Sequence, residues 1–169
     1  MPNKYSEEVK ALRQAMLNEV EGAQFYKISA DKFGNSATRD IFLHLAEEEE
    51  KHYEYLKSLS EKLMKIKEDD LGFDAKSLEE EIPSPQIFNW EKADPSLLNI
   101  AVSVFGIAMN MEKDSVAFYE KAKESAESEE AKTLFDILIK WEGVHLEQFT
   151  NQYNIYQQEW WYQQNFEPF

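Results

Sequence analysis

The residues best suited to chemistry are two Glu-x-x-His pairs, Glu49 with His52 in LAEEEEKH and Glu142 with His145 in WEGVH. Three positions apart on a helix, a carboxylate and an imidazole project from nearly the same face, one turn apart. The second pair lies 93 positions after the first, and the same displacement carries Glu19 of EVEGAQFY onto Glu112 of EKDSVAFY. Phe25-Tyr26, which closes the first of those stretches, moves onto Phe118-Tyr119, and Phe42 moves onto Phe135. Two helices with one Glu each and two with Glu-x-x-His form the ligand inventory of a carboxylate-bridged dinuclear metal site in a four-helix bundle.

Each of these residues interrupts an apolar seam with alternating steps of four and three. The seams run Leu12, Met16, Glu19, Ala23, Tyr26, Ala30, then Phe42, Leu45, Glu49, His52, Leu56, Leu59, Leu63. In the second half they are Phe105, Met109, Glu112, Val116, Tyr119, Lys123 and Ala131, Phe135, Leu138, Glu142, His145, Phe149. A carboxylate taken out of water loses several kcal/mol of hydration or must take a proton, and converging carboxylates also repel one another. No Lys or Arg shares those mid-helix positions, so the compensating charge has to come from bound cations. Glu with neutral His suits Fe, Mn or Zn better than Ca or Mg, which prefer all-oxygen sites.

The run EEEE leaves two registers open, because Glu48 and His52 would also share a face. Trp141 occupies the place equivalent to Glu48, so only the three-residue pairing recurs, and Glu47, Glu48 and Glu50 read as a solvated face. One Glu-x-x-His in a Glu-rich helix is ordinarily surface noise; two in register with two seam carboxylates are not. His44 has Ile137 at its equivalent position and reads as a surface histidine. Tyr26 and Tyr119 follow Glu19 and Glu112 by seven residues, two turns along the same face. They are either plain core or hydroxyls that need a partner when buried, for which a ligand carboxylate is the nearest candidate.

The elements that must position these side chains are helices. Only five Gly and five Pro, beside abundant Ala, Leu, Glu and Lys, favour helix over sheet. Ser6 with Glu7 and Glu8 starts the first helix, which stops near Gly34, and the second begins near Ser36. The expected class is therefore all-α, one domain over 1–169. It comprises an antiparallel hairpin over about 6–66, a crossover over about 67–93, a second hairpin over about 94–150, and an aromatic tail over 151–169. Asp69-Asp70, Gly72, Pro83 and Pro85 punctuate the crossover, which is long enough to run the ~45 Å of a bundle helix. Asp94-Pro95 starts the third helix as N-cap and N1, and SAES at 125–128 turns into the fourth. The Gln-rich aromatic tail either extends helix four over a bundle end or carries aromatic anchors into a partner subunit, packing or dimerisation being favoured over ligand binding.

Composition narrows the function classes. At 169 residues and 43% hydrophobic, the chain suffices for one real core and is short for two. The absence of cysteine excludes disulfides, thiolate metal sites, iron–sulfur clusters and a rubredoxin-type module within this sequence. A formal charge of −15 argues against nucleic acid and anionic membranes as partners, and four ligand carboxylates neutralised by two divalent ions would reduce it. MPNKYSEEVK lacks a signal peptide's apolar run and no stretch approaches membrane-spanning length, so a soluble cytoplasmic protein is expected.

In Glu19…FY, Glu49-x-x-His52, EKDSVAFY from Glu112, and Glu142-x-x-His145, the chain resembles the rubrerythrin branch of the ferritin-like superfamily over most of 6–150. The resemblance implies a ferritin-like bundle holding two iron ions, with Mn or Zn as alternatives. Glu19 and Glu112 would be terminal or bridging ligands, Glu49 and Glu142 bridging carboxylates, and His52 and His145 nitrogen ligands. It further implies a homodimeric non-haem di-iron peroxidase that reduces hydrogen peroxide or dioxygen under oxidative stress, with Tyr26 or Tyr119 relaying protons or electrons. The alternative is ferroxidase-type iron handling without dedicated turnover. Rubrerythrins often carry a further Glu three residues after the first on helix three, which helps an iron change ligand with redox state; here that place is Ser115. With no rubredoxin domain in the sequence, electrons would come from a separate donor protein.

Overall fold

Short polar side chains set the helix starts. Ser36 Oγ accepts the Arg39 N–H at 3.2 Å, and Ser128 Oγ accepts the Ala131 N–H at 3.3 Å. Asp94 accepts the Ser96 N–H at 2.8 Å, but the turn it caps, Pro95–Leu97, is 3₁₀, and the α-helix proper begins at Leu98. In this computed structural model, which describes residues 6–65 and 87–165, the helices are α1 Ser6–Ala30, α2 Ala37–Lys65, α3 Leu98–Ser125 and α4 Glu129–Gln163. Among the described residues there is no strand. The α1–α2 connection turns through Gly34, whose φ of +57° lies in the left-handed region that glycine enters most cheaply.

The helix directions follow from which residues meet. Lys27 pairs with Glu50 while Glu19 meets His52, so α1 and α2 run antiparallel. Lys123 pairs with Asp136 at 2.6 Å and Asn99 with Trp160 at 2.6 Å, so α3 and α4 do too. Phe42 touches Phe105 at one end of the bundle, and Leu56 shares a core with Tyr119 nearer the other. The second and third helices are therefore parallel, which is why a crossover must span their length. Most of that expected crossover lies outside the described residues. Its described end, from 87 to 94, folds against the bundle: the Phe88 N–H reaches Gln148 Oε1 at 2.8 Å, and Trp90 packs edge-on against Phe105 at 4.8 Å.

Two apolar clusters fill the interior. One gathers Leu12, Leu56, Leu59, Tyr119, Leu134, Phe135 and Leu138; the other gathers Tyr26, Phe33, Phe42, Leu98, Phe105, Phe149 and Tyr156. One sequence expectation needs correcting. Lys123 is not a seam residue: after Tyr119 the buried face steps three positions to Ala122, leaving Lys123 half-exposed on Asp136. Of the two roles open to the tail, the structure shows the extension of helix four, which continues to Gln163. Its Gln152 and Tyr156 are buried, the Tyr156 hydroxyl donates to the Glu91 carbonyl at 2.9 Å, and Trp160 Nε1 donates to Asn99. This stretch closes one end of the bundle.

At the opposite end, the buried Glu8 carboxylate of α1 accepts the Glu127 and Ser128 N–H groups, the latter at 2.7 Å, where α4 starts. A carboxylate there also complements the helix dipole. Glu8→Ala is expected to cost about 2 kcal/mol and lower Tm by roughly 4–8 °C, read by calorimetry of the metal-free protein. An unchanged Tm would mean that this contact contributes nothing.

Candidate metal centre

Between the two apolar clusters, α1 and α3 each supply one Glu and α2 and α4 each supply Glu-x-x-His. None of Glu19, Glu49, His52, Glu112, Glu142 and His145 is more than 4% exposed. Ligand atoms of Glu19, Glu49, His52 and Glu142 lie within 4.8 Å of one another, and so do those of Glu49, Glu112, Glu142 and His145. The structure thus brings together all six residues singled out from the sequence. They form two overlapping sets of four, with Glu49 and Glu142 common to both.

The contacts inside each set are those of a cation site rather than a hydrogen-bonded network. Three carboxylate oxygens crowd His52 Nδ1: Glu142 Oε1 at 3.2 Å, and Glu19 Oε2 and Glu49 Oε2 at 3.3 Å. A ring nitrogen carries one proton at most, so it can satisfy one of the three. His145 Nδ1 is faced by Glu142 Oε2 at 3.2 Å, Glu49 Oε1 at 3.7 Å and Glu112 Oε1 at 3.8 Å. Glu49 Oε1 and Glu142 Oε1 are fully buried and have no hydrogen-bond partner; Glu142 Oε1 is near His52 but out of line for one. Buried carboxylate oxygens left this way are costly unless a cation meets them. Two divalent ions, one per set, fit both the donor chemistry and the orphaned oxygens.

The electrostatics without ions describe the same strain. Burial, reinforced by Glu142 and Glu19, pushes the Glu49 carboxyl well above its usual range, and burial with Glu142 does the same to Glu112. Burial opposes charge on His52 and His145, yet the surrounding carboxylates, Glu142 foremost, outweigh it and hold both imidazoles well above their ordinary value. Burial likewise works against a charged Glu142, but His145 and His52 beside it win and keep it strongly acidic. Glu49 and Glu112 are therefore pushed toward holding protons where cations would serve.

Tyr26 and Tyr119 are fully buried and their hydroxyls donate to carboxylates of the cluster, but not to those on their own helices. Tyr26 of α1 donates to Glu112 of α3, and Tyr119 of α3 donates to Glu19 of α1. Burial, with the nearby carboxylates, raises both phenols well above their usual value, so they stay protonated donors. Ser115 is half-buried beside a surface cavity of about 380 Å³ lined also by Asn18, Glu21 and Asp114.

Glu48 overturns a sequence expectation. It is not part of a solvated face: its side chain is 13% exposed and Oε2 lies 3.0 Å from His145 Nε2. Its counterpart Trp141 lies against the other histidine, with the indole 4.6 Å from the His52 ring. His44 is partly exposed, as expected, but it sits 3.5 Å from Glu48 Oε1 and edge-on to Phe88. Comparing the two halves of the sequence could not find Glu48, because that comparison keeps only what the halves share.

No curated protein matches the chain. A hypothetical protein from Pyrococcus furiosus has a similar structure, with a TM-score of 0.65, 26% identity and 92% of each chain covered. The family model for rubrerythrin matches residues 10–153, a span that takes in all six clustered Glu and His residues and both tyrosines. On that match, and on a four-helix bundle closed around a paired Glu/His centre, the chain belongs to the rubrerythrin family of the ferritin-like superfamily.

Proposed function

We propose that the protein is a non-haem di-iron oxidoreductase that reduces hydrogen peroxide or dioxygen, working in the cytoplasm as a homodimer with electrons from a separate donor protein. The observation that carries this reading is the pair of overlapping ligand sets sharing Glu49 and Glu142, each with one further Glu and one His. In this reading Glu19 and Glu112 would each serve one ion, Glu49 and Glu142 would serve both, and His52 and His145 would offer Nδ1. Two iron ions, when bound, supply the two electrons that cleave an O–O bond. The chain's residues do the rest. The apolar clusters on either side exclude water, and Tyr26 and Tyr119 hold O–H protons against Glu112 and Glu19 at the edge of the centre. Leu17, Val20 and Ile28, exposed on α1, offer an apolar face for a second copy.

Stopped-flow mixing of the anaerobic Fe(II) protein with hydrogen peroxide tests the activity. Oxidation is expected to be at least about 10²-fold faster than for aqueous Fe(II), and Tyr26→Phe or Tyr119→Phe should slow it by about 10–100-fold, the loss typical of groups that orient metal ligands. A rate equal to that of aqueous iron would end the enzymatic reading.

Ser115 favours a second reading. With a hydroxyl three residues after Glu112, α3 brings no further carboxylate to the centre, and a six-ligand set suits iron handling with a single oxidation per load. Multiple turnovers with a supplied reductant would exclude it.

A further inference from the structure

The two halves of the centre match at every clustered ligand and differ beside the two imidazoles. On one side Glu48 Oε2 lies 3.0 Å from His145 Nε2, while Nδ1 of the same ring faces Glu142 at 3.2 Å. A neutral imidazole has one N–H. A carboxylate acceptor at Nε2 holds the proton there, leaves the Nδ1 lone pair aimed at the centre, and makes the ring a stronger donor. Glu48 is itself held: its other oxygen faces His44 Nε2 at 3.5 Å, and His44 packs edge-on against Phe88 at 5.6 Å. On the other side the same helical position carries Trp141, whose indole lies 4.6 Å from the His52 ring. Indole N–H can only donate, so Trp141 offers His52 packing and no acceptor.

From this asymmetry we infer that Glu48 is a positioning residue that makes the two metal positions unequal. The set with Glu112 and His145 binds its ion first and more tightly; the set with Glu19 and His52 fills second and empties first. This inference rests on the metal-centre reading above. It assigns the exchangeable ion to the half that Trp141 covers.

Cobalt(II) takes the same carboxylate and imidazole ligands and reports its coordination by visible absorption, so it serves as the probe. Titrating the metal-free full chain should show two steps separated by about 10–100-fold in affinity, the usual weight of a histidine's outer partner. Glu48→Ala should weaken the tighter step by that factor and leave the other in place, merging the two. Glu48→Gln keeps an amide oxygen that can accept from Nε2, and should preserve two steps. Placed on Glu112→Gln, the Glu48→Ala effect should vanish; placed on Glu19→Gln, it should persist. Two equal steps in the unaltered protein, or equal weakening of both by Glu48→Ala, would overturn the inference while leaving the metal centre standing. No cobalt uptake would overturn both.

Discussion

Stripping the metals is expected to lower Tm by roughly 15–30 °C at neutral pH, with a gap that widens as the pH rises. An ion present at about 1,000 times its Kd adds about 4 kcal/mol of stability, so two add about 8, and a chain of this size shifts about 2–4 °C per kcal/mol. The pH dependence follows from the buried acids. Glu49 and Glu112 sit well above the ordinary carboxyl value, and His52 and His145 well above the ordinary imidazole value. The folded, metal-free protein therefore keeps protons that the unfolded chain releases from about pH 4.3 for the carboxyls and about 6.5 for the imidazoles. Where the folded state binds more protons, stability falls as pH rises. Glu142 is shifted the opposite way, and its contribution is lost only in strong acid. Metal ions compete with those same protons and bind better at higher pH. Calorimetry at pH 5.5, 7.0 and 8.5, with chelator or with Mn(II), measures the gap. A gap that narrows toward high pH would contradict the account.

Glu49→Gln should act in opposite directions on the empty and the loaded protein. Glu49 belongs to both ligand sets, and burial together with Glu142 and Glu19 makes its negative charge unfavourable. The neutral amide removes that repulsion, so the metal-free variant should melt higher than the unaltered chain at pH 8.5. Loss of one partner from a buried ion pair costs about 3–5 kcal/mol, which is about 10²–10⁴-fold in affinity, and here the loss falls on both positions. Glu19→Gln, a member of one set, should leave one ion bound per chain. Elemental analysis after desalting reads the stoichiometry. If Glu49→Gln and Glu19→Gln lose metal alike, Glu49 is not a bridge.

The ligand cluster was legible because burial and chemistry conflict there: a charged residue on an apolar seam needs an explanation, and recurrence in register supplied one. The helix starts near Ser36 and Ser128 were legible because capping is local, a side chain reaching its own neighbouring N–H groups; at Asp94 the same local signal marked a 3₁₀ turn, and the α-helix begins four residues on. Glu48 was hidden because its partner is 97 residues away on another helix and its counterpart is a tryptophan. The crossed tyrosines were half visible. Their need for an acceptor follows from burial, but which Glu accepts depends on how α1 and α3 face each other. The length of α4 was obscured by Gln and aromatic residues, though Phe149, Gln152, Tyr156 and Trp160 prolong its spacing of three and four.

That crossing of tyrosines has a consequence for symmetry. Each hairpin lends its phenol to the carboxylate of the other. A chain half as long would complete the centre by pairing with an identical copy about a twofold axis. Within one chain the halves need not be identical, and Glu48 beside one histidine with Trp141 beside the other is a difference that a symmetric pair of half-chains could not hold.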